Sequence, residues 1–407
     1  MATGNAEAGI GHYRQGSVGE VFLAFLKLGL TSFGGPIAHL GYFREAFVVR
    51  RRWLDEHAYA DVVGLCQFLP GPASSQVGFT IGLMRAGFPG ALAAWAAFTL
   101  PSAILLVLVA RGVHALDSAA GAGLLHGLKL VAVAIVAQAI WGMGRSLCPD
   151  RQRASIAVGA ALIVLYSSSS LGQIGAIVLG GLLGLWLCRS SAAGASDGGL
   201  RVPLSPRIAM AASVTFFALL LGVPVLRALA ASQELALFDS IYRSGALVFG
   251  GGHVVLPLLR EGFVAPGWVT DDAFLAGYGA AQAVPGPLFT FAAYLGAVAQ
   301  PSNFLGGAAL GLLGIFLPGM LILIGTLPFW DTLRQRVSAR AAMAGINAAV
   351  VGILAAAFYD PVWTSAVKAP ADFGLALVGF VLLTMWRAPP LVVVMITALG
   401  GVALALR

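Results

Sequence analysis

Two stretches of this chain carry the same series of motifs in the same order. Residues 33–72 contain Phe-Gly-Gly, Arg-Glu, a tryptophan and Gln-x-x-Pro-Gly-Pro, and residues 249–287 repeat that series. The offset is 216 positions from Phe33 to Phe249, and it falls to 215 after one deletion. Helix-breaking proline and glycine at matched places in two halves of a chain indicate a transport site built from broken membrane helices.

The composition places these motifs in a membrane. Of the 407 residues, 59% are hydrophobic and 10% are charged, whereas soluble domains carry about 25% charged residues. Apolar runs such as 90–110 and 204–231 are long enough to cross a bilayer. We therefore predict an all-α polytopic membrane protein surrounded by lipid, and we expect no nucleic-acid partner and no cleavable signal peptide.

Twelve apolar segments form two sets of six around one connecting helix. They are 17–35, 58–84, 90–110, 119–142, 154–168 and 172–188, then 236–251, 273–300, 305–327, 339–358, 371–386 and 389–406. The predicted division is an N-terminal segment 1–16, a first repeat 17–189, a linker and connecting transmembrane helix 190–231, and a second repeat 232–407. Each set crosses the membrane an even number of times if its first two segments both span or are both re-entrant. One connecting span between two such sets predicts inverted repeats.

Arginine clusters orient the predicted spans. Three loops carry them: Arg145, Arg151 and Arg153, then Arg189, Arg201 and Arg207, then Arg334, Arg336 and Arg340. All three loops share one face, which the positive-inside rule makes cytoplasmic. We expect an inner (plasma) membrane protein with a cytoplasmic N-terminus, and the net charge of +7 is mostly this arginine excess. Whether segments 17–35 and 236–251 cross the membrane or re-enter it stays open.

Each repeat interrupts an apolar segment with Pro-Gly-Pro. Proline ends the preceding helix, and glycine permits the sharp reversal that follows. A helix restarting after the motif offers free N–H groups and a positive dipole end, which bind anions. The candidate substrate-binding residues here are Gln67, Pro70, Gly71, Pro72, Ser74 and Ser75 in the first copy, and Gln282, Pro285, Gly286, Pro287 and Thr290 in the second. The alternative is a pair of tight turns without a ligand.

The Phe-Gly-Gly copies and one lysine within an apolar segment complete the substrate-binding candidates. Consecutive glycines at 34–35 and 250–251 end a helix or permit close packing, so Gly34, Gly35, Gly250 and Gly251 are candidates. Lys129 lies inside segment 119–142, and Asn347 occupies the matching place in the second repeat. An ionisable group within a span is costly, so Lys129 is expected to meet an anion or a counter-ion.

The duplicated Arg44-Glu45 and Arg260-Glu261 have two interpretations. They are either ion pairs that fix a re-entrant element, or gating or proton-coupling residues. No hydrolase triad, paired catalytic carboxylates or phosphate-binding loop is present, and Cys66, Cys148 and Cys188 are isolated. The sequence therefore predicts a protein that is not an enzyme and that binds neither a metal nor a cofactor.

The motifs, together with Leu100-Pro101 and Leu317-Pro318, resemble those of the chromate ion transporter family, and more closely its long two-domain members. The resemblance implies a secondary carrier that exports chromate, driven by the membrane potential or protons, with sulfate as a look-alike ligand. It places the family's motif residues on Gly34, Gly35, Arg44, Glu45, Gln67, Pro70, Gly71, Pro72 and their second-half partners. Two departures from exact duplication are Pro36 against Gly252, and Ser74-Ser75, which has no exact copy after Pro287.

Three alternative functions remain: a transporter of another oxyanion, a cation transporter and a membrane reductase. Transport of sulfate or another oxyanion would use the same architecture. A cation transporter would need carboxylates within spans, and a membrane reductase would need a flavin, a haem or a thiol pair. The oligomeric state is open between a monomer and a homodimer.

Overall fold

The structure is a computed structural model that describes residues 16–113, 119–167, 170–189, 204–230, 232–249 and 252–406. Its regular elements within these ranges are helices, without strands. The first repeat contains α1 (Val18–Thr31), α2 (Gly35–Arg44), α3 (Glu56–Phe68), α4 (Ala73–Val113), α5 (Ala119–Leu147), α6 (Arg151–Ser167) and α7 (Ser170–Leu187). The connecting helix is α8 (Pro206–Leu229).

The second repeat follows the same order. It contains α9 (Gln233–Ala246), α10 (Val255–Phe263), α11 (Asp271–Ala283), α12 (Phe291–Ala299), α13 (Phe304–Thr326), α14 (Trp330–Gln335), α15 (Val337–Ala357), α16 (Thr364–Ala366), α17 (Pro370–Thr384) and α18 (Pro390–Ala405). Two candidate residues, Gly250 and Gly251, lie outside the described residues, as does most of the polar linker, at 190–203.

Helices that correspond between the repeats begin at matched caps. The Asp55 side chain accepts a hydrogen bond from the Ala58 amide at the start of α3, and Thr270 does the same for the Ala273 amide at α11. Capping of this kind satisfies amides that have no partner within the helix. The duplication seen in the motifs therefore also includes the N-cap residues at which the corresponding helices begin.

Both apolar segments break where the prolines predict. The chain leaves α3 at Phe68, turns through Pro70–Pro72 and restarts as α4, which is itself kinked at Ala86 and Gly87. In the second repeat α11 ends at Ala283, and a short 3-10 turn leads into α12. Each repeat thus contains a short half-helix after its Pro-Gly-Pro turn.

These half-helices form the interior, and apolar side chains cover the outside. Residues 74–83 and 287–297 are buried throughout, whereas Ile104, Leu221 and Leu399 are 58–67% exposed. Among the described residues, five helices are long and apolar enough to span a membrane: Ala73–Gly112, Gly121–Leu147, Pro206–Leu229, Pro301–Gln335 and Val337–Ala366. An apolar exterior on such helices is what lipid requires, and the chain is a multi-pass membrane protein.

The last two helices of each repeat pack against the other repeat. Helices α17 and α18 of the second repeat pack on α5 of the first, and α6 and α7 of the first pack on α15 of the second. Close approaches between these helices occur at matched glycines, with Gly401 against Gly127 and Gly345 against Gly184. Small residues let membrane helices approach closely. The repeats are therefore interlocked.

Helices α1 and α9 are short for spanning elements. Each has 14 residues, which corresponds to roughly 21 Å at 1.5 Å per residue. A membrane span needs about 20 residues. Their short length favours the interpretation that segments 17–35 and 236–251 re-enter the membrane and do not cross it.

We expect Gly127→Ala to destabilise the protein. An added Cβ would lie 2.6 Å from the Ala398 Cα and against the Thr397 carbonyl, so α5 and α18 must separate, at a cost of about 1–3 kcal/mol. Gly142→Ala, on the same helix with nothing within 4 Å, is the control and should leave the melting temperature unchanged or slightly higher. Thermal unfolding of the purified protein measures both, and equal melting temperatures would contradict the interlocked packing.

Candidate functional site

The two Pro-Gly-Pro turns are held by hydrogen bonds that cross between the repeats. Gly71 has φ +120° and donates its N–H to the Val248 carbonyl at 2.7 Å. Gly286 has φ +105° and donates its N–H to the Ser32 carbonyl at 2.9 Å. Ser32 and Val248 each precede a Phe-Gly-Gly motif. The duplicated motifs therefore meet at the centre, each turn joined to the other repeat.

The glycines of the turns face a second matched pair. A Cβ on Gly71 would lie 2.9 Å from the Gly319 Cα, and a Cβ on Gly286 would lie 2.9 Å from the Ser102 Oγ. Ser102 and Gly319 follow the duplicated Leu-Pro of α4 and α13. Both turns are thus wedged against the long helix of the opposite repeat, and a side chain at either glycine would push them apart.

Gln76 fixes the first turn and is a residue that sequence reasoning missed. Its Nε2 donates to the Pro70 carbonyl at 3.0 Å and to the Gly319 carbonyl at 2.8 Å. The side chain is fully buried. The sequence did contain a signal for Gln76, because it is a polar residue within an apolar run, four positions after Pro72.

The first Phe-Gly-Gly motif sets the direction of α2. Gly34 and Gly35 have φ +98° and +75°, a region that favours glycine. The reversal directs α2 toward the start of α4, where His39 Nδ1 lies 3.4 Å from Ser74 Oγ. Pro36 packs against Gly252, whose added Cβ would lie 3.1 Å from the proline Cγ. This contact explains why one copy carries proline where the other carries glycine.

Neutral hydrogen-bonding groups collect around this start of α4. Ser32, His39, Ser74, Ser75 and Thr99 are all buried. Four of their polar atoms have no hydrogen-bond partner within the described parts of the chain: Ser32 Oγ, His39 Nε2, Ser75 Oγ and Thr99 Oγ1. Of these residues the sequence identified only Ser74 and Ser75 as candidates. The others lie far from the Pro-Gly-Pro motif in the chain.

The remaining neutral candidates differ between the repeats. Gln67 is exposed, whereas Gln282 is half-buried, and its Nε2 has no partner among the residues described. The Thr290 hydroxyl donates to the Pro287 carbonyl at 2.7 Å, so its proton is already used. Asn347 is half-buried with an unpartnered Oδ1 in the described structure. Pro70, Pro72, Pro285 and Pro287 form the turns themselves.

Each arginine of the duplicated Arg-Glu motif pairs with the helix that follows it. Arg44 Nε donates to Glu56 at 3.1 Å, and Arg260 Nε donates to Asp271 at 2.8 Å. Glu56 and Asp271 are the first residues of α3 and α11. The Glu56 carboxylate raises the pKa of the Arg44 guanidinium because it accepts its hydrogen bonds. These contacts anchor α3 and α11, the helices that lead into the turns.

The glutamates of the two motifs have separate environments. Glu45 accepts from Arg50 at 2.8 Å at an exposed position. Glu261 lines a cavity of about 250 Å³ together with Arg227, Asp239 and Arg243. In that cavity the buried Asp239 carboxylate accepts from Arg243 at 2.7 Å and from Arg227 at 3.1 Å. No matching cluster is possible in the first repeat, because Leu23 and Lys27 occupy the places of Asp239 and Arg243.

Two further ion pairs join the repeats away from the turns. Lys129 Nζ donates to Asp272 at 2.9 Å, which connects α5 to the start of α11. Arg334 donates to the buried Asp61 at 3.1 Å, which connects α14 to α3. Asp272 lies at the opposite end of α11 from Pro285. The structure therefore gives Lys129 a carboxylate partner and separates it from the turns.

The arginine pairs of the two Arg-Glu motifs thus lie near the ends of α2, α3, α10 and α11, while the centre around the two turns holds hydroxyls, an imidazole and amides. An anion at the centre would meet donors without a neighbouring carboxylate to repel it. Within the described residues, no three His, Cys, Asp or Glu side chains form a group that would hold a metal ion.

Comparison with known proteins agrees with these paired motifs. The chromate transporter family model matches residues 19–185 and again 235–403. The chain belongs to the chromate transporter family. The two matches coincide with the two repeats.

Individual relatives cover nearly the whole chain. The chromate transport protein of Pseudomonas aeruginosa is 29% identical over 94% of this chain and 90% of its own length. A probable chromate transport protein of Synechococcus elongatus is 26% identical over 93% of each. The uncharacterized transporter YwrB of Bacillus subtilis is 32% identical over 40% of this chain and 83% of its own length, about one repeat. No solved structure matches the chain.

We expect Lys129→Gln and Asp272→Asn to have small, non-additive effects. Asp272 is largely exposed, so the pair contributes about 1 kcal/mol or less. The double variant should melt no lower than the less stable single variant, and all three should transport at near the wild-type rate. Loss of transport in Lys129→Gln with normal transport in Asp272→Asn would instead assign Lys129 to the anion.

Proposed function

We propose that this chain is a secondary transporter of chromate, with the anion bound where the two Pro-Gly-Pro turns meet. The observation that carries the proposal is the reciprocal pair of hydrogen bonds from Gly71 to Val248 and from Gly286 to Ser32. They bring two broken helices together between the repeats, the arrangement in which transporters bind substrates. Membership of the family and relatives named chromate transport protein support chromate as the substrate.

The matched contacts also support an inverted arrangement of the repeats. The exchange of α6 and α7 against α17 and α18 relates the halves as equivalent partners. The single connecting helix α8 would bring the second half in from the opposite side of the inner (plasma) membrane. The arginine-rich loops and the N-terminus would then lie in the cytoplasm. In such a carrier, the ion pairs at the ends of α3 and α11 are candidates for the contacts that gating breaks.

Export needs no nucleotide. Moving one charge through 100 mV is worth about 2.3 kcal/mol, so a dianion leaving a negative interior gains roughly 4.6 kcal/mol. At about 1.4 kcal/mol per factor of ten, this supports a gradient on the order of 10³. Sulfate has the same shape and the same acceptors as chromate, so it is the second candidate substrate.

We expect everted membrane vesicles that contain the protein to take up chromate. Uptake into such vesicles corresponds to export from the cell, so an uncoupler should abolish it and a modest excess of sulfate should leave it measurable. Vesicles prepared without the protein are the control. Uptake of another oxyanion in place of chromate would keep the architecture and change the substrate, and uptake that is insensitive to the uncoupler would refute electrical or proton coupling.

We expect Gly286→Ala to reduce transport at least about tenfold while the protein remains in the membrane. The new Cβ would contact Ser102 at a positive φ, and strain of this kind costs on the order of 1–3 kcal/mol. Gly267→Ala is the matched control, because Gly267 also has a positive φ (+78°) but has nothing within 4 Å of the added Cβ. It should transport normally. Equal activity of the two variants would show that the turn does not need this close approach.

A further inference from the structure

We propose that the first repeat alone supplies the cluster of side-chain donors that binds the anion. The cluster consists of Ser32, His39, Ser74, Ser75 and Thr99 around the start of α4. The proposal rests on the proposed function, because it assigns ligands to that same anion. The second repeat would close the site with its turn, without a second, equivalent cluster.

The first observation that supports this proposal is a set of buried side-chain atoms that make no hydrogen bond. Ser32, His39, Ser75 and Thr99 are 0–2% exposed, and each has a side-chain polar atom without a partner in the described part of the protein. A buried polar group left unpaired costs about 1–3 kcal/mol. A ligand that accepts or donates hydrogen bonds would therefore stabilise these four groups.

Their positions are linked by contacts. His39 lies 3.4 Å from Ser74 through Nδ1 and Oγ, and its ring lies 5.3 Å from the Phe98 ring. The Phe98 carbonyl lies 3.2 Å from the Cβ position of Gly286, whose N–H is bonded to Ser32. The cluster therefore borders the turn of the second repeat.

Thr99 belongs to the face of α4 that meets the second repeat. Trp95, Thr99 and Ser102 have the i, i+4, i+7 spacing of one helix face. Trp95 packs against Phe316 with ring centroids 5.8 Å apart, and Ser102 contacts the Cβ position of Gly286. This places Thr99 between two contacts with the opposite repeat.

The second repeat has the same architecture with different side chains. The residues at the five equivalent positions are Val248, Val255, Phe289, Thr290 and Phe316. Four are apolar, and the Thr290 hydroxyl is already bonded to the Pro287 carbonyl. Duplication therefore preserved the turns and the packing, whereas the unpaired donors at these five positions occur in one copy.

The chemistry of the cluster suits a fully deprotonated tetrahedral dianion. Every oxygen of such an anion accepts hydrogen bonds, and serine, threonine and histidine can each donate one. Hydrogen bonds to a charged acceptor are about twice as strong as neutral ones. The long helix α4 directs its free amides and positive dipole end to the same place.

Ser75→Ala and Thr290→Val are a matched pair that tests the proposal. The two residues are equivalent in the repeats, but only Ser75 has an unmade hydrogen bond among the residues described. Calorimetric titration of the purified full-length protein with chromate and with sulfate measures both. Ser75→Ala should raise Kd about 10- to 100-fold, as loss of a hydrogen bond to a charged group does. Thr290→Val should bind as the wild type does.

A second variant separates binding from packing. Thr99→Val keeps the side-chain shape and removes the hydroxyl, so it should weaken binding while the protein without anion melts at the wild-type temperature or above. Wild-type affinity in both Ser75→Ala and Thr99→Val would overturn the first-repeat site. If the wild-type protein itself binds neither anion, the proposed function fails, and this assignment of ligands fails with it.

Discussion

The centre of this protein depends on one kind of interaction, the hydrogen bond that the glycine of each Pro-Gly-Pro turn makes to the other repeat. Proline has no N–H, so the glycine amide is the motif's own main-chain donor, and in the membrane interior it must be satisfied by protein. Gly71 finds its acceptor in Val248 and Gly286 finds its acceptor in Ser32. Neither repeat satisfies its turn alone, so the broken helices exist only as a pair.

The packing contacts around these two turns occur in both repeats, whereas the buried hydrogen-bond donors do not. The helix caps, the cross-repeat glycine contacts and the arginine anchors of α3 and α11 all occur twice. Four of the five buried donor residues near α4 have apolar counterparts in the second repeat, and the fifth counterpart, Thr290, already donates to the Pro287 carbonyl. A duplicated fold needs both copies of its packing contacts, whereas a single bound anion needs one set of ligands. The two halves are therefore free to diverge at the positions that contact only the ligand.

The charges serve a different purpose from the donors. Arg44 with Glu56 and Arg260 with Asp271 lie near helix ends, and Lys129, inside α5, pairs with Asp272 at the start of α11, away from the turn. Ion pairs there fix the angles at which the broken helices enter, and they are in reach of water. In the proposed transporter, a neutral centre with helix dipoles would attract an anion without holding it as tightly as fixed cations would, which would suit a carrier that must release its substrate.

The sequence alone determined the membrane location, the duplicated order of helices and the breaks at Pro-Gly-Pro. The length of the apolar segments, the spacing of the repeated motifs and the missing N–H of proline can each be read directly from the chain. The first copy's Phe-Gly-Gly reversal was likewise predictable from its glycines. Tertiary structure alone decided the partners of the polar side chains. His39 meets Ser74 across 35 positions, Gln76 reaches Gly319, and the Arg-Glu motif turns out to pair with Glu56 and Asp271. Such contacts depend on how interlocked helices pack, and no periodicity in the chain encodes which residues face each other across that packing.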